Sequence, residues 1–213
     1  VEAAELDDFA ELTLESIAPF PAEHLYWGYL QATDSDSILL YATQRERIQQ
    51  SAVGQLDDYA WVLPEFAPLV ATVFPQATEV IVQSGSSICL LQFEPGQGVP
   101  RYANARALVE GEQVDTQIDR LRALAPPMAE GHPRLILQPT AQSPSEQGLA
   151  TFHFELLGEE SGSELAAGLA QVSPETTQLW KADVRAPEFK KAERSARKLG
   201  ELILRITTSA AVF

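Results

Sequence analysis

The stretch "TEVIVQSGSSICLLQFEPGQGVPRYANARAL" (residues 78–108) constrains this chain more than any other. Three apolar-rich runs, Glu79–Gln83, Ile88–Phe93 and Pro100–Ala107, are separated only by "SGSS" and "PGQG". Connections that short join antiparallel neighbours, because a parallel partner needs a crossover of a dozen residues or more. A three-stranded meander is therefore expected. In "EGEQVDTQIDRLRALAPPM" the residues Val114, Ile118, Leu121 and Leu124 recur at helical spacing, and Pro126-Pro127 stops the run. "PRLILQPT" is a short apolar strand of the buried kind. After the loop "AQSPSEQG", the run "TFHFELLG" alternates Phe152, Phe154 and Leu156 on one face, with His153 on the other. "SGSELAAGLAQV" follows as a small-residue helix. The resulting order, β-β-β-α-β-β-α, predicts an α/β protein (α+β, mixed sheets).

Upstream, "ELDDFAELTLESIAPF" suits either a strand or a helix, and Pro19 and Pro21 end it in both cases. "IAPFPAEHLYWGYL" places Phe20, His24, Tyr26, Trp27 and Tyr29 within fourteen residues. Its second half reads as a strand with Leu25, Trp27 and Tyr29 on one face, and "DSDS" turns it into the strand "SILLYATQ". These aromatics are expected in a half-buried hairpin, with an aromatic ligand cage as the alternative. "RERIQQSAVGQLDD" is expected as a short helix and "YAWVLP" as a short strand. Pro64 is expected in the first turn of a helix, "PEFAPLVATVF". Near the end, "PEFKKAERSARKLGELILRI" predicts one long helix, with Phe189, Ala192, Ala196, Leu199, Ile203 and Ile206 along one face.

Charge narrows the function classes. The 213 residues carry a formal net charge of −15, which argues against nucleic acid as a partner, since that needs a basic face. The imbalance is uneven. Residues 1–178 hold 7 Lys and Arg against 26 Asp and Glu, whereas residues 179–213 hold 8 against 4. Lys190, Lys191, Arg194, Arg197 and Lys198 crowd the front of the last helix. They suit either a solvated face beside an acidic body or the cytoplasmic flank of a membrane span starting near "TTSAAVF". The sequence has no basic segment leading into an apolar leader and no run of about 20 apolar residues.

Catalytic patterns are sparse. His24, His132 and His153 stand far apart, outside any metal-ligand spacing. No Walker loop, GxGxxG or GxSxG is present. The single cysteine, Cys89, sits in "SICLLQF" and reads as a buried small hydrophobe. The acidic residues, such as Asp7, Asp8, Asp34, Asp36, Asp57 and Asp58, fall in expected turns and termini, where solvation explains them. The best anion-binding candidate is the turn Ser84, Gly85, Ser86 and Ser87, whose backbone amides suit a phosphate. An ordinary Gly-Ser hairpin turn is the simpler reading.

Three antiparallel strands followed by a helix and further strands is the layout of the ribonuclease-H-like unit, and two such units make the actin-like fold. The chain resembles the cytoplasmic actin-like domain of type II secretion (L component) and type IV pilus (M component) assembly-platform proteins. "LESIAPFPAEHLYWGYL" with "ILLYATQRERI", "VLPEFAPLV", "VIVQSGSSICLLQFEPGQGVPRYANAR" and "ELAAGLAQ" carry the resemblance. It implies an incomplete first subdomain over 1–74, a ribonuclease-H-like second subdomain over 75–178, and a basic helical segment over 179–213 that leads toward a span. The family's first strands and their Asp-Gly turn would precede Val1. Gln83-Ser84 stands where actin-like ATPases carry an Asp, and "PRLILQPTAQ" lacks their adenosine-contacting Gly-rich turn.

The resemblance therefore implies a non-enzymatic scaffold with no cofactor, at the cytoplasmic face of a bacterial inner membrane. Its partners would be other platform proteins, the assembly ATPase among them, with the membrane reached through sequence beyond Phe213. The alternatives are a nucleotide-responsive weak or pseudo-ATPase on the same fold, and a soluble small-ligand-binding domain with an aromatic pocket.

Overall fold

The structure, a computed structural model, describes residues 3–32, 37–50, 56, 59, 61–109, 111–144, 150–160, 168–185, 190, 192, 195 and 196. The chain divides into two compact units. One comprises Val1–Gly28, Tyr41–Val62 and Asp183–Phe213, and the other Tyr29–Leu40 and Leu63–Ala182.

The second unit is built on a six-stranded mixed sheet. Its strands are β3 (Thr78–Gln83), β4 (Ser87–Phe93), β5 (Tyr102–Ala107), β6 (Arg134–Pro144), β7 (Ala150–Glu160) and β8 (Gln171–Val172), in the spatial order β5-β4-β3-β6-β7-β8. The expected meander is present: β3–β4 and β4–β5 are antiparallel, with Ile81 opposite Leu90 and Cys89 opposite Ala105. Helix α3 (Val114–Leu124) then carries the chain across to β6, which lies parallel to β3. β7 returns antiparallel to β6, and β8 adds two residues at the edge.

β3 is central, so Thr78 to Val82 are all buried and both faces must be covered. On one face Ile81, Ile88 and Leu90 pack with Ile118 and Leu121 of α3. Glu79 points the same way, and its carboxylate accepts from Arg122 Nε of α3 at 2.7 Å. Gln92 donates to Pro126 O beyond the helix. Toward the other face Phe74 meets Phe93 with ring centroids 4.7 Å apart. The 3-10 turn Ala67–Ala71 lies against helix α4 (Thr176–Ala182).

Several expectations change. "PEFAPLVATVF" is a 3-10 turn, because Pro68 has no amide to donate back to Pro64 O and the bond runs instead from Ala67 N at 2.9 Å. Residues 61–64 form no strand. Leu124 is 71% exposed, at the end of α3 beyond the sheet-facing pair Ile118 and Leu121. Along β7 Phe154 is buried and Phe152 half-buried, but Leu156 is 38% exposed, next to a register shift that leaves Leu157 unpaired. Pro139 in β6 lies past the four residues paired with β3, where a missing amide costs no ladder bond on that side. Residues 63–74 belong with the sheet unit, since Leu69, Val70 and Phe74 are buried there, and the segment from Asp183 onward belongs to the first unit. This division differs from the sequential one at 74/75 and 178/179.

In the first unit α1 (Ala3–Ile17) resolves the opening ambiguity as a helix, which ends before Pro19 with Ala18 N bonded to Leu14 O. Only Ala10 and Leu14, one turn apart, are fully buried on it, while Phe9, Leu12 and Ile17 are exposed. Outside the six-stranded sheet, β1 (Leu25–Gln31) and β2 (Ile38–Gln44) pair as a two-stranded sheet, followed by α2 (Arg45–Gln50); Tyr29–Leu40 are grouped with the second unit. Leu25, Trp27 and Tyr29 are buried, as the period-2 pattern predicts.

Candidate functional site

In the first unit α1, the segment 18–23 and the start of β1 enclose an open cleft of about 790 Å3. Glu11 and Glu15, one turn apart on α1, form one wall. Pro19, Phe20, Pro21, Glu23, Trp27 and Arg45 also line the cleft. The two prolines fix the backbone on either side of Phe20, which is 45% exposed. Arg45 is held in place: its Nε donates to Leu25 O at 3.0 Å and its guanidinium lies 5.3 Å from the Tyr26 ring centroid. Glu11 and Glu15 have no cationic partner among the described residues. The cleft thus offers unpaired carboxylates beside aromatic surface.

Trp27 is fixed from behind by the returning chain. Trp27 N donates to Val184 O, and Val184 N donates to Val62 O. Asp183 and Arg185 flank that residue and are 0% and 2% exposed. Arg185 Nε and Nη2 both reach Asp183 Oδ2, at 2.9 and 2.6 Å, and Nη1 donates to Tyr59 O. A buried pair is stable only when its remaining hydrogen-bond capacity is satisfied. Here Asp183 Oδ1 also accepts from Val62 N and Arg185 N. Burial, with the Asp183 carboxylate adding to it, pushes the Tyr41 phenol well above its ordinary value and keeps it protonated.

The turn Ser84, Gly85, Ser86 and Ser87 is the expected β3–β4 hairpin turn. Three of its four amides are engaged internally: Ser84 N donates to Ser87 O, and Ser86 N and Ser87 N both approach Ser84 Oγ. Ser87 Oγ donates to Glu65 Oε2 at 2.9 Å. A carboxylate beside amides already in use makes a poor cradle for a phosphate.

Of the five clustered cations, Lys190 lies inside the fold. It is 8% exposed, donates to Asp183 O at 2.8 Å, and sits 5.6 Å from the Trp27 ring centroid. Lys191, Arg194, Arg197 and Lys198 lie outside the described residues, as do Asp34, Asp36, Asp57 and Asp58. Ala192 and Ala196, expected on the apolar face of the last helix, are helical and exposed. Among the described residues no group of His, Cys, Asp and Glu could hold a metal, and no helix is long and apolar enough to cross a membrane.

Sequence reading missed the cleft: it named no role for Glu11, Glu15 or Arg45, although its placement of Trp27 in the core and of Arg45 in a helix agrees with the structure. The available signal was Glu11 and Glu15 at i,i+4 just before Pro-Phe-Pro.

By fold the chain is a mixed α/β protein whose larger unit centres on a six-stranded mixed sheet. It matches no protein-family model and no curated protein sequence.

Proposed function

We infer that the chain is a docking module, a non-enzymatic scaffold of the type II secretion or type IV pilus assembly-platform kind, working at the cytoplasmic face of an inner membrane. The observation that carries the docking role is the open, carboxylate- and aromatic-lined cleft, beside a helix that leaves Phe9, Leu12 and Ile17 exposed. Exposed apolar clusters with a polar rim are what partner-binding surfaces present. The actin-like relationship is supported by the antiparallel meander, the crossover through α3 and the parallel β3–β6 pair. The antiparallel return of β7 is a departure from the ribonuclease-H-like pattern, whose later strands run parallel.

Co-expression with membrane-bound platform proteins of type II secretion and type IV pilus systems from the same genome tests this reading. Stable co-purification is expected; their failure to associate, with the chain folded, overturns it. The weak-ATPase alternative is tested by a Mg-ATP thermal-shift titration. A ligand at 100 times its dissociation constant would add about 2.7 kcal/mol. No shift is expected, because the amides of Ser84, Ser86 and Ser87 are engaged and Ser87 Oγ is held by the Glu65 carboxylate.

A further inference from the structure

We propose that the cleft of the first unit takes a basic amphipathic peptide segment from a partner protein, with Lys or Arg set against Glu11, Glu15 and Glu23 and an apolar side chain on Phe20. The proposal rests on the docking role above and specifies the partner's chemistry.

Three observations select that occupant. The first is charge complementarity: three carboxylates line the cleft, and the one cation among its described lining residues, Arg45, is already turned to Leu25 O and the Tyr26 ring. An acidic or phosphorylated partner would meet those carboxylates with no cation released to receive it. The second is the aromatic surface. The Phe20 face, 45% exposed beside carboxylates, favours an ammonium or guanidinium on an apolar stem. The third is apolar surface at the rim: Leu12, 65% exposed, stands i,i+3 to Glu15 on the same helix, so α1 offers apolar contact next to the carboxylates.

The test uses the full chain and two synthetic 18-residue probes of helical period, one of Leu and Lys and one of Leu and Glu, followed by fluorescence anisotropy. The Leu/Lys probe is expected to bind and the Leu/Glu probe not to bind. Glu11→Gln with Glu15→Gln and Glu23→Gln should weaken binding at least tenfold, and Phe20→Ala should weaken it at unchanged charge. The control Asp115→Gln with Glu130→Gln and Glu155→Gln removes the same charge from exposed positions in the other unit and should change affinity less than twofold. Thermal melts of each variant report that it remains folded. Equal loss in the control set means diffuse attraction to an acidic body and overturns the proposal. Retention of affinity by the cleft variants also overturns it. Self-association of the chain that the cleft substitutions abolish would reassign the surface to a second copy and overturn it as well. If platform proteins co-purify equally with wild-type and cleft-variant chains, this proposal fails while the scaffold reading stands. If the probe binds at the cleft and no platform protein associates, the scaffold reading fails alone.

Discussion

Two residues show how burial turns an ordinary side chain into a fixed one. Cys89 lies within β4 at 4% exposure, and burial, then the nearby Glu65 carboxylate, pushes its thiol up from 9.0 to about 12. A thiolate is the reactive form, so native Cys89 should resist a disulfide reagent at pH 8 and react fully in denaturant. Rapid native labelling would contradict the burial. The sign of the linkage follows. The unfolded thiol ionises at lower pH than the folded one, so stability is complete below about pH 9 and falls as pH rises toward 12. Asp183 makes the complementary case. Asp183→Ala would take the carboxylate away from the Arg185 guanidinium, 2% exposed, which donates to it at 2.9 and 2.6 Å. Breaking a buried pair from one side costs about 3–5 kcal/mol, and the urea midpoint should fall accordingly. Replacing both partners with apolar residues of similar volume should cost less than Asp183→Ala alone.

At the scale of elements, α3 separates what spacing specifies from what position decides. Val114, Ile118, Leu121 and Leu124 share one helical stripe, yet Leu121 is 3% exposed and Leu124 71%. Leu121→Ala should therefore cost about 2–5 kcal/mol by leaving a cavity against Ile81 and Leu90. Leu124→Ala should stay within about 0.5 kcal/mol, as exposed substitutions do. Equal losses would mean that Leu124 is covered in solution. The segment 64–74 makes the related point: Pro64 is expected in the first turn of an α-helix, but Pro68 four residues on has no amide for the bond that helix needs, and a 3-10 turn starts instead at Ala67. The stretch "IAPFPAEHLYWGYL" likewise splits, with Leu25, Trp27 and Tyr29 entering the core while Phe20 stays at the surface.

For the molecule as a whole, a net charge of −15 and a pI of about 4.5 keep copies apart at neutral pH. Phe9, Leu12, Ile17 and Phe20 are exposed within twelve residues, so the same charge also keeps that surface from self-association. As pH falls toward 4.5 the carboxylates protonate and the repulsion fades. Light scattering should rise steeply between about pH 5.5 and 4.5, and Phe9→Ser with Leu12→Ser should reduce it. Scattering unaffected by those substitutions would place the sticky surface elsewhere.

The sequence by itself determined the meander over residues 78–107, helix α3, the apolar strand that follows it and the aromatic strand β1. Each is specified by short-range periodicity and by turns too short for any other connection. The burial of Cys89 was legible for the same reason. The cleft was not, because Glu11, Phe20, Trp27 and Arg45 come from four separate pieces of chain with no spacing rule relating them. Nor was the buried role of Lys190. Read along the sequence it is one of five cations on a helix, and only the arrival of Asp183 O and the Trp27 ring at its ammonium takes it out of that set. Periodicity reports which face of an element is apolar. What that face meets, and which charges become enclosed, depends on residues brought together from distant parts of the chain, and that only the tertiary structure decided.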